Sequence, residues 1–316
     1  TVYFKGDFSL NLFCMQALAL QVPSAWEALL GQLREGSPWR MLMVAGPVNA
    51  GKTTLATWLA QQLSDRYRTF FLDADPGQSL IGPPTTLALS SLPLDPDRWL
   101  RLRFVGHISP EGHLLQMLSG LCRLVEAARW YRAERLVVDL PGHIPGEIGR
   151  ELLFQILDVL RPDYVVALER EEELKPVWQC FRKSRRPQMV RMAVAQAVQE
   201  RDRLVRSGYR RERFQRYFAA ARLCRLSVAA RGLHGMVPSW ANPEAWRHRV
   251  VALCDAQGFS RVLGIVVRFD PQLQMLYLWA PPFRAREITT VQFGRFRLDP
   301  AEVGLMGQRP VTPEGS

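Results

Sequence analysis

The chain has 316 residues, of which 47% are hydrophobic, a composition that excludes a disordered protein and is sufficient for one large α/β core with a smaller attached domain. Its formal net charge of +11 favours a polyanionic partner, although a genome enriched in arginine produces the same excess, and 37 of the 41 basic residues are arginine. The five cysteines are scattered without a Cys-x-x-Cys pair, which argues against a zinc site and favours a reducing cytosolic or nuclear compartment.

Residues 1–22 alternate loosely between apolar and polar side chains and are interpreted as an N-terminal extension or the remnant of a β module. The most apolar part, residues 8–22, contains polar amides and is too short to span a bilayer, so we expect no membrane association. A short helix is predicted next, with Ser24 as its N-cap, Glu27 as the capping-box partner and Gly36 just beyond its end.

From residue 23 to residue 225, apolar runs typical of buried strands alternate with amphipathic stretches typical of helices. Strands are predicted at 41–46, 68–75, 135–140 and 163–168. Helices are predicted to begin near Lys52 and to cover 113–131 and 147–160. Such alternation predicts a mainly parallel sheet flanked by helices on both faces, with ligands at the carboxyl ends of the strands.

The pattern changes after residue 169. Residues 182–222 carry many arginines at helical spacing, whereas residues 261–298 contain β-rich runs separated by turn residues. We therefore expect two domains, an α/β domain over 23–225 that includes the arginine-rich stretch 182–218, and a small β-rich C-terminal domain over 226–316.

A phosphate-binding loop follows the first predicted strand. Residues 46–53 read GPVNAGKT and match GxxxxGK[ST], with the required strand before the loop and helix after it. The glycines let the loop curl so that backbone N–H groups converge on phosphate oxygens. Lys52 can reach the β- and γ-phosphates, and Thr53 can ligate Mg²⁺. We expect the nucleotide to be bound by Gly46, Pro47, Val48, Asn49, Ala50, Gly51, Lys52, Thr53 and Thr54.

Three aspartates follow predicted strands. Asp73 and Asp75 end the second strand and Asp139 ends the third, where a metal ion or an attacking hydroxyl would meet the γ-phosphate. With Thr53, all three are candidate Mg²⁺ ligands. Aspartates at strand ends also cap loops and helices, and this alternative stays open for each of them.

Five segments in this order resemble the polynucleotide 5′-hydroxyl kinase family. They are GPVNAGKTT (46–54), DADPGQS (73–79), IGPP (81–84), FVGHISPEGH (104–113) and VVDLPGHIPGEIG (137–149). The family includes the kinase subunit of eukaryotic pre-mRNA cleavage complexes, the nucleolar kinases of ribosomal RNA processing, and smaller archaeal and bacterial relatives. The resemblance, over roughly residues 23–300, implies a P-loop NTPase fold and ATP- and Mg²⁺-dependent phosphorylation of the 5′-hydroxyl end of RNA or DNA. It favours a prokaryotic, cytoplasmic member, or a nuclear one in a eukaryote, whose RNA-processing partners are unknown.

The resemblance also implies roles for residues of the DADPGQ segment. Asp75 aligns with the catalytic aspartate, which orients or deprotonates the attacking 5′-hydroxyl. Asp73 would lie behind it, near Mg²⁺ and the substrate. Gln78 matches a glutamine of the channel that admits the phosphate acceptor.

Residues 140–143, LPGH, correspond to the substrate clasp of the family, in which Gly142 and His143 would contact the acceptor. The family usually has Thr where this chain has Leu140, and Trp or Tyr where it has His143. The loop also has Asn49 where the family commonly has Asp. These departures affect the acceptor contact and the way the loop is held.

The segment VRSGYRRERFQRYF, residues 205–218, resembles the arginine-bearing lid that the family closes over the phosphates. Arg206, Arg210 and Arg213 stand at offsets of four and three and share one helix face, so we expect them to act together on the transferring phosphoryl group. The alternative is a solvated basic helix, in which case Arg182, Arg185 and Arg186 become the lid candidates.

Two other functions stay open beside the kinase. One is a nucleotide-binding assembly factor that has lost most catalysis, which the altered clasp favours. The other is a GTPase or ATPase of the metallochaperone or partitioning type, which the absence of an NKxD motif disfavours.

Overall fold

The computed structural model describes residues 22–142, 146–195, 198 and 202–305. Residues 1–21 of the predicted N-terminal extension lie outside the described residues. The helices are α1 (Ser24–Glu35), α2 (Lys52–Ser64), α3 (Leu114–Trp130), α4 (Glu147–Leu160), α5 (Lys175–Phe181) and α6 (Arg203–Phe218). No helix within the described ranges is both long and apolar enough to cross a membrane.

The first sheet has seven strands in the order β4-β3-β2-β5-β1-β6-β7. They are β1 (Met41–Ala45), β2 (Thr69–Asp73), β3 (Thr86–Ser91), β4 (Arg101–Phe104), β5 (Arg135–Asp139), β6 (Tyr164–Glu169) and β7 (Gln188–Ala193). The parallel strands are β2, β5, β1, β6 and β7. Strand β3 pairs antiparallel with β2, and β4 pairs antiparallel with β3. The predicted P-loop NTPase fold, with a mainly parallel sheet between helices, is confirmed.

Both faces of this sheet are buried, which is why its central strands are continuous apolar runs. One face packs against α3 and α4 through residues such as Leu121 and Leu153. The other packs against α1 and α2 through residues such as Leu29 and Leu59. The two layers fix the carboxyl ends of β1, β2, β5 and β6 at one edge.

Two local predictions were wrong. Ser24 is the first helical residue of α1 rather than its N-cap, because Pro23 takes the extended cap position and no side chain caps the helix there. Residues 188–193 form β7, an edge strand paired with β6, although they lie in the stretch whose arginine spacing predicted a helix.

The second sheet has six strands in the order β8-β12-β11-β10-β13-β9. They are β8 (Arg222–Ser227), β9 (Gly232–Gly235), β10 (Arg249–Cys254), β11 (Ser260–Asp270), β12 (Met275–Ala280) and β13 (Thr290–Arg297). Phe214 and Phe218 of α6 pack on one face of this sheet. Since β8 already belongs to the second sheet, we propose a domain boundary between α6 and β8.

The two sheets meet beside the loop that follows β4. The Gln292 side chain donates to the Phe104 carbonyl at 3.2 Å, and the Phe296 amide donates to the Gly106 carbonyl at 3.0 Å. A Cβ atom on Gly294 would lie 2.6 Å from the Gly106 Cα, so the two backbones touch only because neither residue has a side chain. This contact holds the loop after β4 against the site described below.

Candidate active site

The phosphate loop connects β1 to α2 and has two residues in the left-handed region, Asn49 (φ 58°) and Gly51 (φ 83°). Asparagine tolerates this conformation better than most residues. The loop also approaches β6 closely, since a Cβ on Gly46 would lie 2.6 Å from the Leu168 carbonyl oxygen. The Arg170 guanidinium donates to the Asn49 carbonyl at 2.8 Å, which fixes the far side of the loop.

Lys52 is the first residue of α2 and is 7% exposed. Its Nζ donates to the Pro47 carbonyl at 2.8 Å, so the ammonium group points back into the loop. Burial lowers the pKa of Lys52, while the carboxylates of Asp139 and Asp75 oppose that change. The cation is thus held inside the phosphate loop, close to two acidic groups.

Asp139 lies at the carboxyl end of β5, beside the start of α2. Its Oδ2 accepts a 2.6 Å hydrogen bond from the Thr53 hydroxyl. The side chain is 1% exposed, and its Oδ1 is buried with no hydrogen-bond partner among the described residues. Burial raises the pKa of Asp139 to about 7, although Lys52 and the Thr53 hydrogen bond act in the opposite direction.

The Thr53 and Asp139 pair fits a divalent cation. The described residues contain no group of three or more His, Cys, Asp or Glu side chains placed to hold a metal. Mg²⁺ at a phosphate loop does not need such a group, because it takes one or two protein oxygens and completes its shell with phosphate and water. A buried carboxylate oxygen without a hydrogen-bond partner is unusual, and Asp139 Oδ1 is available to such an ion.

Asp73 ends β2 and is surrounded by backbone amides. Its Oδ2 accepts from the amides of Leu80 (2.6 Å) and Ile81 (2.9 Å), and its Oδ1 accepts from the Asp75 amide (3.1 Å). The side chain is 2% exposed, and burial together with Asp139 raises its pKa well above the usual range. Both oxygens therefore accept hydrogen bonds from the backbone, and Asp73 shapes the 75–81 loop. Its role toward metal or substrate stays a prediction.

Asp75 lies in that loop, half-buried, two residues beyond the end of β2. Its Oδ1 accepts from the amides of Gly77 (2.8 Å) and Gln78 (2.9 Å), which fixes the carboxylate. Its charge is close enough to influence the pKa values of Lys52, Asp139 and Arg210. The structure therefore brings Asp75 together with the phosphate loop and the lid segment.

The 75–81 loop, called the acceptor loop below after the predicted roles of Asp75 and Gln78, is also the docking surface for α6. The Gln78 side chain donates to the Arg206 carbonyl at 3.4 Å, and the Tyr209 hydroxyl donates to the Ser79 carbonyl at 2.9 Å. Helix α6 begins with Asp202 as its N-cap, whose Oδ1 accepts from the Val205 amide. The predicted lid segment is thus a capped helix held on the acceptor loop.

The three lid arginines separate into two groups. Arg210 is half-buried, and its pKa is lowered by burial and by Arg206, with Asp75 opposing. Arg213 is 6% exposed and donates to the carbonyls of Gly82 (2.7 Å) and Pro96 (2.8 Å). We therefore propose a structural role for Arg213 in place of the expected contact with the phosphates. Arg213 follows Arg206 by seven residues. It therefore lies on the same helix face as Arg206, but about 10 Å further along the helix at ~1.5 Å per residue.

The predicted clasp is described only in part, because His143 lies outside the described residues. A Cβ on Gly142 would lie 2.9 Å from the Lys52 Nζ and 3.0 Å from the Val48 Cα, so a side chain here would displace the Lys52 ammonium group or the phosphate loop. Leu140, which replaces the usual threonine, is 3% exposed and packs in the core between the sheet and α3 and α4.

Sequence reasoning missed two residues of this site. Arg170 binds the phosphate loop, and its charge contributes to lowering the pKa of Lys52. Its position directly after β6, at the ligand-binding edge, was a usable signal. Tyr209 docks α6 on the acceptor loop, and no signal in the sequence distinguished it from other half-buried tyrosines.

Residues 46–220 match the family model described as the mRNA cleavage and polyadenylation factor CLP1 P-loop. The chain is 33% identical over 193 residues to a polyribonucleotide 5′-hydroxyl-kinase of Pyrococcus horikoshii, covering 59% of this chain and 52% of that protein. It is 23% identical over 357 residues to the protein of the same name in Methanocaldococcus jannaschii, covering 94% and 98%.

Among solved structures, Clp1p in the Clp1p–Pcf11p complex has the same fold, with a TM-score of 0.65 at 14% identity over 87% of this chain and 78% of that chain. The chain spans about half the length of the Pyrococcus relatives it matches.

Proposed function

This chain belongs to the CLP1 P-loop family, and from that premise we propose that it is an ATP-dependent polynucleotide 5′-hydroxyl kinase, which transfers the γ-phosphate of ATP to the 5′-hydroxyl end of RNA or DNA. The observation that carries the proposal is the convergence of Lys52, Asp139 and Asp75 at one edge of the sheet, with Asp75 on the loop where α6 docks.

The phosphates of ATP would lie in the loop at the start of α2, where backbone N–H groups and the positive end of the helix favour anions. Lys52 would exchange its contact with the Pro47 carbonyl for the β- and γ-phosphates. Thr53 and Asp139 would hold Mg²⁺, which supplies positive charge to the phosphate oxygens when it is bound.

Asp75 is the proposed general base. Two amides fix its Oδ1, so its carboxylate is oriented before substrate arrives. The 5′-oxygen of the acceptor would form a bond to the γ-phosphorus, and the bond from that phosphorus to the β–γ bridging oxygen would break. The hydroxyl proton would pass to Asp75, and ADP would leave with the electron pair.

Arg206 and Arg210 are the proposed lid arginines. Helix α6 places both of them one turn apart near the acceptor loop, and Arg210 is close to Asp75. A guanidinium group at this position would neutralise the oxygens of the transferring phosphoryl group, which carry most of the charge in a loose transition state.

One observation favours a nucleotide-binding assembly factor instead. Leu140 is buried in the core and offers no hydroxyl group to an acceptor at the clasp. Under either function, we propose that the protein acts in the cytoplasm, or in the nucleus of a eukaryote, with RNA-processing partners of its own.

The deciding experiment uses γ-labelled ATP, Mg²⁺ and matched 5′-hydroxyl RNA and DNA oligonucleotides. We expect the wild-type protein to transfer the label to the oligonucleotide and the Lys52→Ala variant to transfer none. Release of labelled phosphate without transfer would indicate an ATPase. ATP binding without turnover would favour the assembly factor.

A further inference from the structure

A cleft of about 760 Å³ lies at the edge of the first sheet opposite the phosphate loop. Its walls come from the connections that enter β1, β5 and β6 at their amino ends. Strand β5 runs from Arg135 at the cleft to Asp139 at the catalytic edge, which is about 13 Å of strand at ~3.3 Å per residue. The cleft is therefore a surface separate from the nucleotide site.

The floor of this cleft is apolar and its rim is basic. The buried side chains of Trp39, Met41 and Leu136 line the floor. Two acidic residues lie at the cleft, Glu134 and Asp163. The arginines that line it are Arg40, Arg129, Arg132, Arg135, Arg161 and Arg186.

The acidic residues do not neutralise most of these arginines. Asp163 accepts from the amides of Arg40 (2.7 Å) and Met41 (3.0 Å) through Oδ2, and its Oδ1 pairs with Arg186 at 2.9 Å. Glu134 accepts from the amide of Arg68, outside the cleft. In the part of the chain that the structure describes, the ion pairs include none of Arg40, Arg129, Arg132 and Arg161.

Helix ends explain only part of this charge. Arg129 lies in the last turn of α3 and Arg161 caps α4, where a cation gains about 0.3 to 1 kcal/mol from the helix dipole. Arg132 follows the C-cap of α3 in a left-handed conformation, so of the four arginines only Arg40 lies away from a helix end. Four exposed cations around one concave surface repel one another, so a polyanionic ligand would relieve that repulsion.

A second cleft of about 640 Å³ continues the first and shares Arg161 and Arg186 with it. Phe154, Phe181 and Arg185 line the far side. The two clefts form an elongated groove that two shared arginines connect, which we call the arginine groove. Because its arginines are spread over two clefts, this groove suits an extended chain of phosphates better than a single mononucleotide.

Trp130 follows Arg129 of the groove but is not among the residues that line it, and this exposed indole favours nucleic acid over an acidic peptide as the ligand. Its indole is 73% exposed at the end of α3, next to Arg129 in the sequence, and its edge packs on Tyr131 at 4.8 Å between ring centroids. Surfaces that bind single strands combine guanidinium groups for phosphates with aromatic rings for bases. An acidic peptide would engage the arginines and leave the indole unused.

We propose that the arginine groove binds the backbone of a single-stranded nucleic acid, with Trp130 stacking on a base. The groove lies outside the acceptor site and would anchor the body of a strand whose 5′ end reaches Asp75. Only the position of that 5′ end rests on the proposed kinase function. Binding to the groove is a separate property, measured without ATP.

The test compares two triple variants that lose the same charge. The groove variant is Arg129→Gln, Arg132→Gln and Arg161→Gln. The control variant replaces exposed arginines of the second domain, Arg222→Gln, Arg225→Gln and Arg286→Gln. The probe is a single-stranded 5′-hydroxyl RNA of about 20 nucleotides, which at ~3.4 Å per nucleotide extends far enough to reach around the domain. Its affinity is measured against salt concentration, and the variants are checked by thermal unfolding.

The groove variant is expected to bind this RNA at least tenfold more weakly at low salt. The log–log salt slope should fall by about 2, since each phosphate contact on a single strand contributes ~0.7. Transfer of phosphate to a dinucleotide should be unchanged, because that acceptor is too short to reach the groove. Trp130→Ala should weaken RNA binding without changing the salt slope.

Unchanged RNA affinity in the groove variant would overturn the proposal. An equal loss of affinity in the control variant would also overturn it, because RNA would then be attracted by the charge of the whole surface. Binding of an oligo-glutamate peptide is the competing test. If this peptide binds the wild type but not the groove variant, and RNA binds both equally, the groove is a site for an acidic protein and the nucleic-acid proposal is wrong. If the wild type phosphorylates no oligonucleotide and the groove variant still loses RNA binding, the kinase function fails while the groove assignment holds.

Discussion

Arg210 and Arg213 lie three residues apart on α6, yet their surroundings predict opposite effects of substitution. The Arg213 guanidinium is buried and donates to two backbone carbonyls, at 2.7 and 2.8 Å. Hydrogen bonds from a charged donor contribute about 1.5 to 3 kcal/mol each. Its ion pair with Asp97 adds little, because that carboxylate is 53% exposed and the separation is 3.4 Å. Arg213→Ala should therefore destabilise the fold by about 3 kcal/mol or more.

For a chain of this size, that loss corresponds to a decrease in Tm of about 6 °C or more, at ~2 °C per kcal/mol. Arg210→Ala should leave Tm nearly unchanged, because Arg210 is only half-buried and lies close to Asp75 instead of backbone carbonyls. Its effect should appear in kcat, which we expect to fall by about 10³-fold by analogy with arginine fingers, with the KM for ATP nearly constant.

The assay combines thermal unfolding with transfer of labelled phosphate to a 5′-hydroxyl oligonucleotide. Arg213→Lys is the matched control, since a single ammonium group cannot serve both carbonyls and should recover only part of the lost stability. A wild-type Tm for Arg213→Ala together with a collapse of kcat would reverse the two roles. Wild-type kcat for both Arg206→Ala and Arg210→Ala would remove α6 from the mechanism.

Three further substitutions test the phosphate-loop edge. Asp75→Asn should retain ATP affinity but lose several orders of magnitude in kcat, because the amide cannot accept the hydroxyl proton; near-normal turnover would exclude Asp75 as the base. Gly142→Ala should weaken ATP binding about tenfold in a direct titration, since its Cβ would lie 2.9 Å from the Lys52 Nζ, and unchanged affinity would contradict that geometry. Burial raises the pKa of Asp139 to about 7, whereas its pKa in the unfolded chain is near 4. The stability that the protonated Asp139 contributes is therefore complete below pH ~4 and is lost as the pH rises through about 7. Asp139→Asn should therefore raise the unfolding free energy of the nucleotide-free protein by about 1 to 4 kcal/mol near pH 8 and by much less near pH 4; equal changes at both pH values would refute this.

The sequence was most informative where two independent patterns coincide. The apolar run before the phosphate loop, the glycine spacing and the helix after it predicted β1, the loop and α2 together. Helix α4 was predicted at 147–160, where it is found, because its apolar residues repeat with helical period. Strands β3 and β4 were not predicted: β4 has only four residues and alternates with arginine, and the apolar part of β3 is the three residues 87–89.

The roles of individual side chains were harder to predict than their positions. The DxD spacing brings Asp73 and Asp75 to the same edge, but only the fold turns the amides of Leu80 and Ile81 back onto Asp73. For Arg213, helical spacing gave the correct face and could not give the distance along the helix to the phosphates. In both cases the deciding partners are backbone groups, which a motif does not record.

Helix α6 connects the edge that carries the phosphate loop to the second sheet, and under the proposed function this connection would give the second sheet a role in phosphate transfer. Tyr209 and Arg213 hold the helix on the segment that follows Asp75. The next turn packs Phe214 and Phe218 into the second sheet, where the buried Tyr217 hydroxyl accepts from the Leu263 amide at 2.7 Å. The lid arginines are thus positioned by contacts on two sheets at once. A displacement of the second sheet would move α6 and, with it, the charge that faces Asp75.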